Sequence, residues 1–287
     1  MPKIILKPGC AVMTKNLFTQ VYECLMCSEL DHKMRLLDGL LVDWTEQRFD
    51  FEPLDKIERI KDPGRPAKPE LVASKNLLRR RIGSPEGHAA LMHAIAHIEF
   101  NAINLALDAV YRFQHMPRDY YADWLGVAGE EAYHFQMIRE HLFNLGYEYG
   151  DLAAHNGLWL TTYETDHDVL VRMAMVPRTL EARGLDVTPD MIKRLRAIGD
   201  HRGVEILKIL LRDEIGHVAV GTRWYRYVCD QRGLNPFDEF QSILTTYFHG
   251  DIRGPFNYDA RQKAGFSEQE IAWLKSMEAQ TFEKTND

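Results

Sequence analysis

Two short stretches of this 287-residue chain repeat one chemical pattern: Glu131-Ala-Tyr-His134 and Glu214-Ile-Gly-His217. On a helix, residues three apart sit about 60° apart around the axis and about one turn along it. A carboxylate and an imidazole so placed reach one point in space. Both pairs fall where a helix should be apolar. The second lies on a stripe of Leu207, Leu210, Glu214, His217, Gly221, Trp224 and Val228, the face that a helix turns to a core. An unpaired charge buried there is costly, so something must compensate it. Two further acids occupy similar stripes. Glu99 stands among Met92, Ala96, Ile103, Ala106 and Val110, and Glu181 follows Leu170, Ala174 and Pro177.

The separations link the four acids. Glu99 precedes Glu131 by 32 residues and Glu181 precedes Glu214 by 33, so the chain reads twice as Glu, a loop, then Glu-x-x-His. This order matches the two-metal carboxylate site of ferritin-like bundles, in which two helices give one Glu each and two give Glu-x-x-His. Four glutamates against two divalent cations leave a nearly neutral site, which makes burial tolerable. Oxygen-rich ligation with one imidazole per ion suits iron(II), with manganese(II) as the substitute. Ions sharing carboxylates would lie about 3.5–4 Å apart. The ligand set expected is Glu99, Glu131, His134, Glu181, Glu214 and His217. The bland alternative is a set of helix acids paired with Arg139 and Arg212.

Other residues of suitable type fit less well. Glu164-Thr-Asp-His167 repeats the spacing but precedes Glu181 by about 25 Å of helix, and reads as surface. His97 lies about 200° around from Glu99, so His93 and His97 read as packed or exposed histidines. Tyr133 points away from the ligands and reads as packing, as do Trp159, Tyr163 and Tyr225.

The elements that must position these side chains are helices. Ser84-Pro85-Glu86 caps a helix running to about residue 114. "MPRD" (116–119) opens a second, stopped at Gly146. A third covers about 161–183, kinks at Pro177 and ends at Gly184. Thr188-Pro189-Asp190 starts another segment, which passes through residues 199–200 into the helix of Glu214. Asn235-Pro236 starts one tail helix, and Ser267 with Glu270 forms the capping box of another. Residues 14–45 read as mainly helical, and "DPGRPAKPE" (62–70) as an extended connector. The fold expected is all-α: a ferritin-like four-helix bundle over 71–233, with an N-terminal helical extension and connector (1–70) and C-terminal helices (234–287) packed on it.

A composition of 45% apolar and 27% charged residues is that of an ordinary globular chain. The net charge of −7 gives no overall attraction to nucleic acid or to an anionic membrane. The local exception is "KNLLRRR", with Lys75 and Arg79 to Arg81. No apolar run suggests a membrane span, and the N-terminus has no secretory core. Cys10, Cys24, Cys27 and Cys229 read as inert reduced thiols, which fits a cytoplasmic location.

The phrases "PGRPAKPELV", "RRRIGSPEGHAALMHAIAHIEFNAINLALDAVYRF", "EEAYHFQMIREHLFNLGYEYGDLAAHNGLW", "VPRTLEARGLDVTP" and "LRDEIGHVAVGTRWYRY" resemble a bacterial ferritin-like family, domain of unknown function 455, over about residues 62–275. That family resembles in turn the tRNA-modifying di-iron hydroxylases, which share the order Glu, Glu-x-x-His, Glu, Glu-x-x-His. The resemblance implies the same six ligands. The function expected is an O2-dependent hydroxylase or oxidase with two iron ions. The alternative is a ferroxidase or other iron-handling protein without an organic substrate. No flavin, ferredoxin or nicotinamide motif is present, so an external electron donor or reductase is expected. The substrate expected is a small molecule or RNA, and a homodimer is compatible with the sequence. Peroxide reduction of the rubrerythrin kind fits less well, because the two CxxC pairs of a rubredoxin domain are missing.

Overall fold

Ser84 opens the helix on which the site is built. Its hydroxyl accepts from the Gly87 amide at 3.1 Å, and Pro85 occupies the first helical position, where its missing N–H costs nothing. The computed structural model describes residues 14–286 except 79, 249 and 251. Cys10 and Arg79 therefore lie outside the described residues. The elements before this helix are β1 (Lys15–Asn16), α1 (Leu17–Met26), α2 (Leu30–Thr45) and β2 (Phe49–Asp50). β1 and β2 pair in parallel, Lys15 with Phe49 and Asn16 with Asp50, a two-residue sheet that helical periodicity did not forecast. Residues 51–78 and 80–84 connect β2 to the next helix, with one turn at Ser74–Asn76 and another closed by the Ser84 amide on the Arg81 carbonyl at 3.0 Å.

Four long helical runs come next: α3 (Pro85–Arg112), α4 (Arg118–Asn144), a composite third run, and α8 (His201–Arg232). Their directions follow from which ends meet. Arg223, late in α8, pairs with Asp119 and Asp123 at the start of α4. Arg172, early in the third run, pairs with Asp108, late in α3, at 2.6 Å. The order is therefore up, down, down, up, and one long crossover joins α4 to the third run. The crossover contains α5 (Gly157–Glu164), which packs on α3. The Arg172–Asp108 pair is fully buried. Burial works against the Asp108 charge, but Arg172 and Arg112 hold its carboxyl below the usual range.

The third run departs from expectation. It begins at α6 (Val169–Met175), with the Asp168 carboxylate accepting from the Leu170 amide at 2.8 Å. Residues 161–164 belong instead to α5. Pro177 makes no simple kink. It removes a backbone donor, and Val176–Glu181 winds as a π-helix, with the Thr179 hydroxyl taking the Ala174 carbonyl at 2.8 Å. A Cβ at Gly221 would overlap the Pro177 ring, so glycine lets α8 lie this close to the π turn.

The run does not end at Gly184, and Thr188-Pro189 starts nothing. α7 (Ala182–Ala197) continues through both. Pro189 cannot donate to the Leu185 carbonyl, and the side-chain Nδ2 of Asn257 supplies that bond at 3.2 Å. The Thr188 hydroxyl bonds to the Gly184 carbonyl at 2.7 Å.

The tail holds α9 (Pro236–Tyr247), α10 (Tyr258–Lys263) and α11 (Glu268–Asn286). Asn235 caps α9, and Ser267 with Glu270 makes the reciprocal capping box expected for α11. The short α10 was not expected. It packs, with Phe256, Phe266 and Leu274, against Ala182, Leu185 and Val218 of α7 and α8. Arg178 of the π turn is fully buried beneath this layer, paired with Glu270 and stacked on Tyr225, Phe240 and Phe266.

One window of α3 has the length and mean hydropathy, 1.2, of a membrane span, and 78% of it is buried inside the fold, which is what a core helix does. Cys24, Cys27 and Cys229 are free thiols.

Candidate metal centre

The two Glu-x-x-His pairs face one another from α4 and α8. The His134 and His217 rings lie 5.8 Å apart, and both are buried. Glu131 sits between them: its Oε1 is 2.9 Å from His217 Nδ1 and its Oε2 is 3.3 Å from His134 Nδ1. Glu99, from α3, places Oε2 3.1 Å from His134 Nδ1. Glu214 places Oε2 3.2 Å from His217 Nδ1. The result is two ligand groups, Glu99–Glu131–His134 and Glu131–Glu214–His217, each with its donor atoms within 4.8 Å of one another. One carboxylate belongs to both.

Glu181 completes the set by its charge environment. Burial, then the nearby Glu214 and Glu131 charges, push its carboxyl well above the ordinary range. Its Oε2 is buried and has no hydrogen-bond partner. A buried acceptor without a donor is costly, and a cation at this point would satisfy it. The π turn delivers Glu181 here, and π turns recur at functional sites for this reason. Gly184, one turn on, lies beside Glu214, and a Cβ there would make only ordinary contact with its Oε1, at 3.7 Å.

The protonation pattern follows from burial and from the mutual charge of the cluster. Burial and the Glu131 charge hold Glu99 protonated well above the ordinary range, and burial raises Glu214 as well. Burial opposes the charge on His134, yet the Glu131 and Glu99 carboxylates raise it to about 10. His217 is likewise raised against burial by Glu131. Glu131 is the exception. Burial opposes its ionisation, but the two imidazoles hold it below the usual carboxylate range. Protons here occupy the places that divalent ions would neutralise.

Two functional acids were not foreseen. Asp213 Oδ2 accepts from His134 Nε2 at 3.1 Å, and Glu130 Oε2 accepts from His217 Nε2 at 2.7 Å. Each helix therefore orients the histidine of the other, through the acid that precedes its own Glu-x-x-His glutamate. A carboxylate can only accept, so each Nε2 must donate, which leaves the Nδ1 lone pair for an ion. The signal was present as Glu130-Glu131 and Asp213-Glu214, but its use depends on how α4 and α8 face each other. Asp213→Asn and Glu130→Gln are each expected to weaken metal affinity about 10- to 100-fold, with the helix content of the far-ultraviolet spectrum unchanged. Competition with a chromophoric chelator measures this, and unchanged affinities in both variants would remove the orienting role.

The residues set aside from the sequence stay apart from the centre. His93 accepts from the Gly150 amide at 2.9 Å, and His97 bonds the Tyr149 hydroxyl at 2.9 Å. Burial lowers both histidines to about 4. Glu164 and His167 are exposed, and His167 bonds Tyr247. Tyr133 is 55% exposed, so it faces outward and is not the packing residue expected. Trp159 is buried and donates to the Lys61 carbonyl, Tyr163 lies under Arg59, and Tyr225 donates to the Pro236 carbonyl. Arg139 and Arg212 pair with Asp31 and Asp213, and with none of the four glutamates.

An apolar cavity of about 300 Å³ opens onto the centre. Glu99, Glu131, Glu181 and Glu214 are in its wall, most of the other lining side chains are aliphatic, among them Ile95, Leu105, Leu207 and Leu210, and Arg183 and His155 also reach it.

Comparison with known proteins follows the same span of chain. The sequence profile described as "Protein of unknown function (DUF455)" matches residues 26–272. An uncharacterized protein of Haemophilus influenzae is 47% identical over 220 residues, 74% of this chain and 76% of that relative. No solved structure matches. On the extent of these matches, the chain belongs to the DUF455 family.

Proposed function

We propose that this chain is a ferritin-like, dinuclear iron carboxylate oxygenase that hydroxylates a small apolar substrate. One observation carries the reading. A single buried carboxylate, Glu131, spans two Glu-x-x-His groups at the floor of an apolar cavity. The up-down-down-up order with one long crossover supports a ferritin-like bundle. The donor set, four carboxylates and two imidazoles without thiolate, supports iron(II), with manganese(II) as its substitute.

Glu99, Glu131 and His134 would hold one ion, and Glu131, Glu181, Glu214 and His217 the other. When bound, the pair supplies the redox chemistry that activates O2. The chain's own residues do the remaining work. Asp213 and Glu130 fix the imidazoles, Glu181 and Glu214 neutralise charge next to the cavity, and the aliphatic wall excludes water and seats the substrate. Hydroxylation consumes O2, two electrons and two protons, and yields the alcohol and water. The electrons come from a separate reductase, because no flavin, ferredoxin or nicotinamide motif is present.

A substrate small enough for about 300 Å³ lies at the lower end of ligand pockets. The RNA reading is weaker, because Arg80 of the basic cluster is tied to Glu86 at 2.9 Å. The iron-handling reading is weaker as well, because the cavity against the centre is lined mostly by apolar side chains, which suit an organic substrate better than hydrated ions. Anaerobic loading with iron(II), then O2, watched by absorption and Mössbauer spectroscopy, tests the proposal. Two irons per chain that cycle repeatedly with added reductant are expected. Accumulating ferric mineral would favour iron handling instead.

Ala102 lies one turn from Glu99 on the cavity wall. Ala102→Phe is expected to keep two metal ions per chain and to weaken binding of indole, a small apolar probe, by about 10-fold or more. Equal indole affinity in the variant would separate the cavity from substrate binding.

A further inference from the structure

A second convergence of metal-ligating side chains lies at one end of the bundle, away from the dinuclear centre. His88 stands in the first turn of α3, His141 near the end of α4, and Asp200 at the N-cap of α8. His88 Nε2 is 2.6 Å and His141 Nε2 is 2.9 Å from the same oxygen, Asp200 Oδ2. The two rings lie 6.0 Å apart, and the three donor atoms all fall within 4.8 Å of one another. His141 follows His134 by seven residues, about 10 Å along α4. The two groups therefore share no ligand.

We propose that His88, His141 and Asp200 form a mononuclear site for a divalent transition-metal ion, zinc(II) foremost, which ties together the ends of α3, α4 and α8. Two imidazoles and one carboxylate, with no thiolate, make a three-ligand set that leaves a fourth position for water. The carboxylate is held from behind: Asp200 Oδ1 accepts from the Gly203 amide at 2.8 Å, which turns Oδ2 toward the histidines. Glycine at 203 is part of the site, because a Cβ there would overlap the Asp200 carboxylate. His141 and Asp200 are buried, while His88 is only half-buried, so an ion has a way in. An ion about 2.0–2.2 Å from each donor sets the donors roughly 3.3 Å apart, so binding requires both imidazoles to draw back slightly from Asp200 Oδ2, from 2.6 and 2.9 Å.

This inference does not rest on the dinuclear reading. The test uses the full chain stripped with a chelator and titrated with zinc(II) against a chromophoric competitor. His88→Gln and His141→Gln are each expected to take up one zinc ion fewer than the unaltered chain, and the ions near Glu131 are expected to remain. His88→Gln decides the matter if His141→Gln fails to fold, because a half-buried residue tolerates the change. An anomalous zinc peak among the three side chains is expected in crystals of the loaded protein. Equal zinc counts in His88→Gln and the unaltered chain, or zinc confined to the Glu131 region, would overturn the proposal.

Discussion

Glu131→Ala is expected to cost the chain both ions of the dinuclear centre, whereas Glu99→Ala and Glu214→Ala should each weaken one ion more than the other. The difference is geometric. Glu99 approaches only His134, and Glu214 only His217, but the two oxygens of Glu131 face one histidine each, at 3.3 and 2.9 Å. Removing it leaves each ion one anionic ligand short and leaves two buried imidazoles without their shared counter-charge. It also opens a small void at a buried position. The affinity loss should exceed the roughly 10- to 100-fold expected for the orienting acids. Elemental analysis after anaerobic loading and desalting reads it directly: two iron ions per unaltered chain and none in Glu131→Ala. Oxygen consumption with reductant should fall to background in the same variant. Two retained ions in Glu131→Ala would remove the bridging role, and with it the argument for a coupled pair.

What the sequence disclosed, and what it withheld, follows one physical line. Glu99, Glu131, His134, Glu181, Glu214 and His217 were legible because polar groups on an apolar helical stripe are conspicuous, and spacing along a helix fixes direction. The structure brings Glu99, Glu131, His134, Glu214 and His217 into hydrogen-bond range of one another, and puts Glu181 within reach of the Glu214 and Glu131 charges. The helix starts at Ser84, Asn235 and Ser267 were legible for a similar reason, since capping is local.

Several of the misreadings involve a partner distant in sequence. Pro189 looked like a helix start until Asn257, from the tail, bonded the carbonyl that proline leaves free. Pro177 looked like a kink, but the geometry it takes depends on Gly221 of α8 making room. Asp168 capped a new helix inside a stretch whose periodicity ran on unbroken. Asp213 and Glu130 could be seen as acids next to ligands, but which histidine each one serves is decided by the packing of α4 against α8.

Loading with manganese(II), which avoids oxidation, is expected to raise the melting midpoint, and to raise it more as pH increases from 6 to 9. Each ion at a free concentration a hundredfold above its dissociation constant contributes about 2.7 kcal/mol. Two ions together correspond to a rise of roughly 10 °C, at about 2 °C per kcal/mol for a chain of this size. The pH dependence has a definite sign. His134 is raised to about 10 in the folded, metal-free chain, above its unfolded value of about 6.5. The stability it contributes is therefore complete below about pH 6.5 and is lost as pH rises toward 10. His217, Glu99, Glu181 and Glu214 are raised as well, so their contributions also fade with rising pH. Glu131, held low, acts oppositely, and only in the acid range.

In the loaded protein the ions have already displaced the protons of those same groups into solvent, so its midpoint should not share the decline. The gap between loaded and metal-free midpoints must then widen across neutral pH, with protons released on loading. Scanning calorimetry at pH 6, 7.5 and 9 measures the gap, and a pH indicator in weak buffer measures the protons. Parallel midpoints with no proton release would mean that the buried cluster is balanced without metal, and the orphaned oxygen of Glu181 would then need another partner.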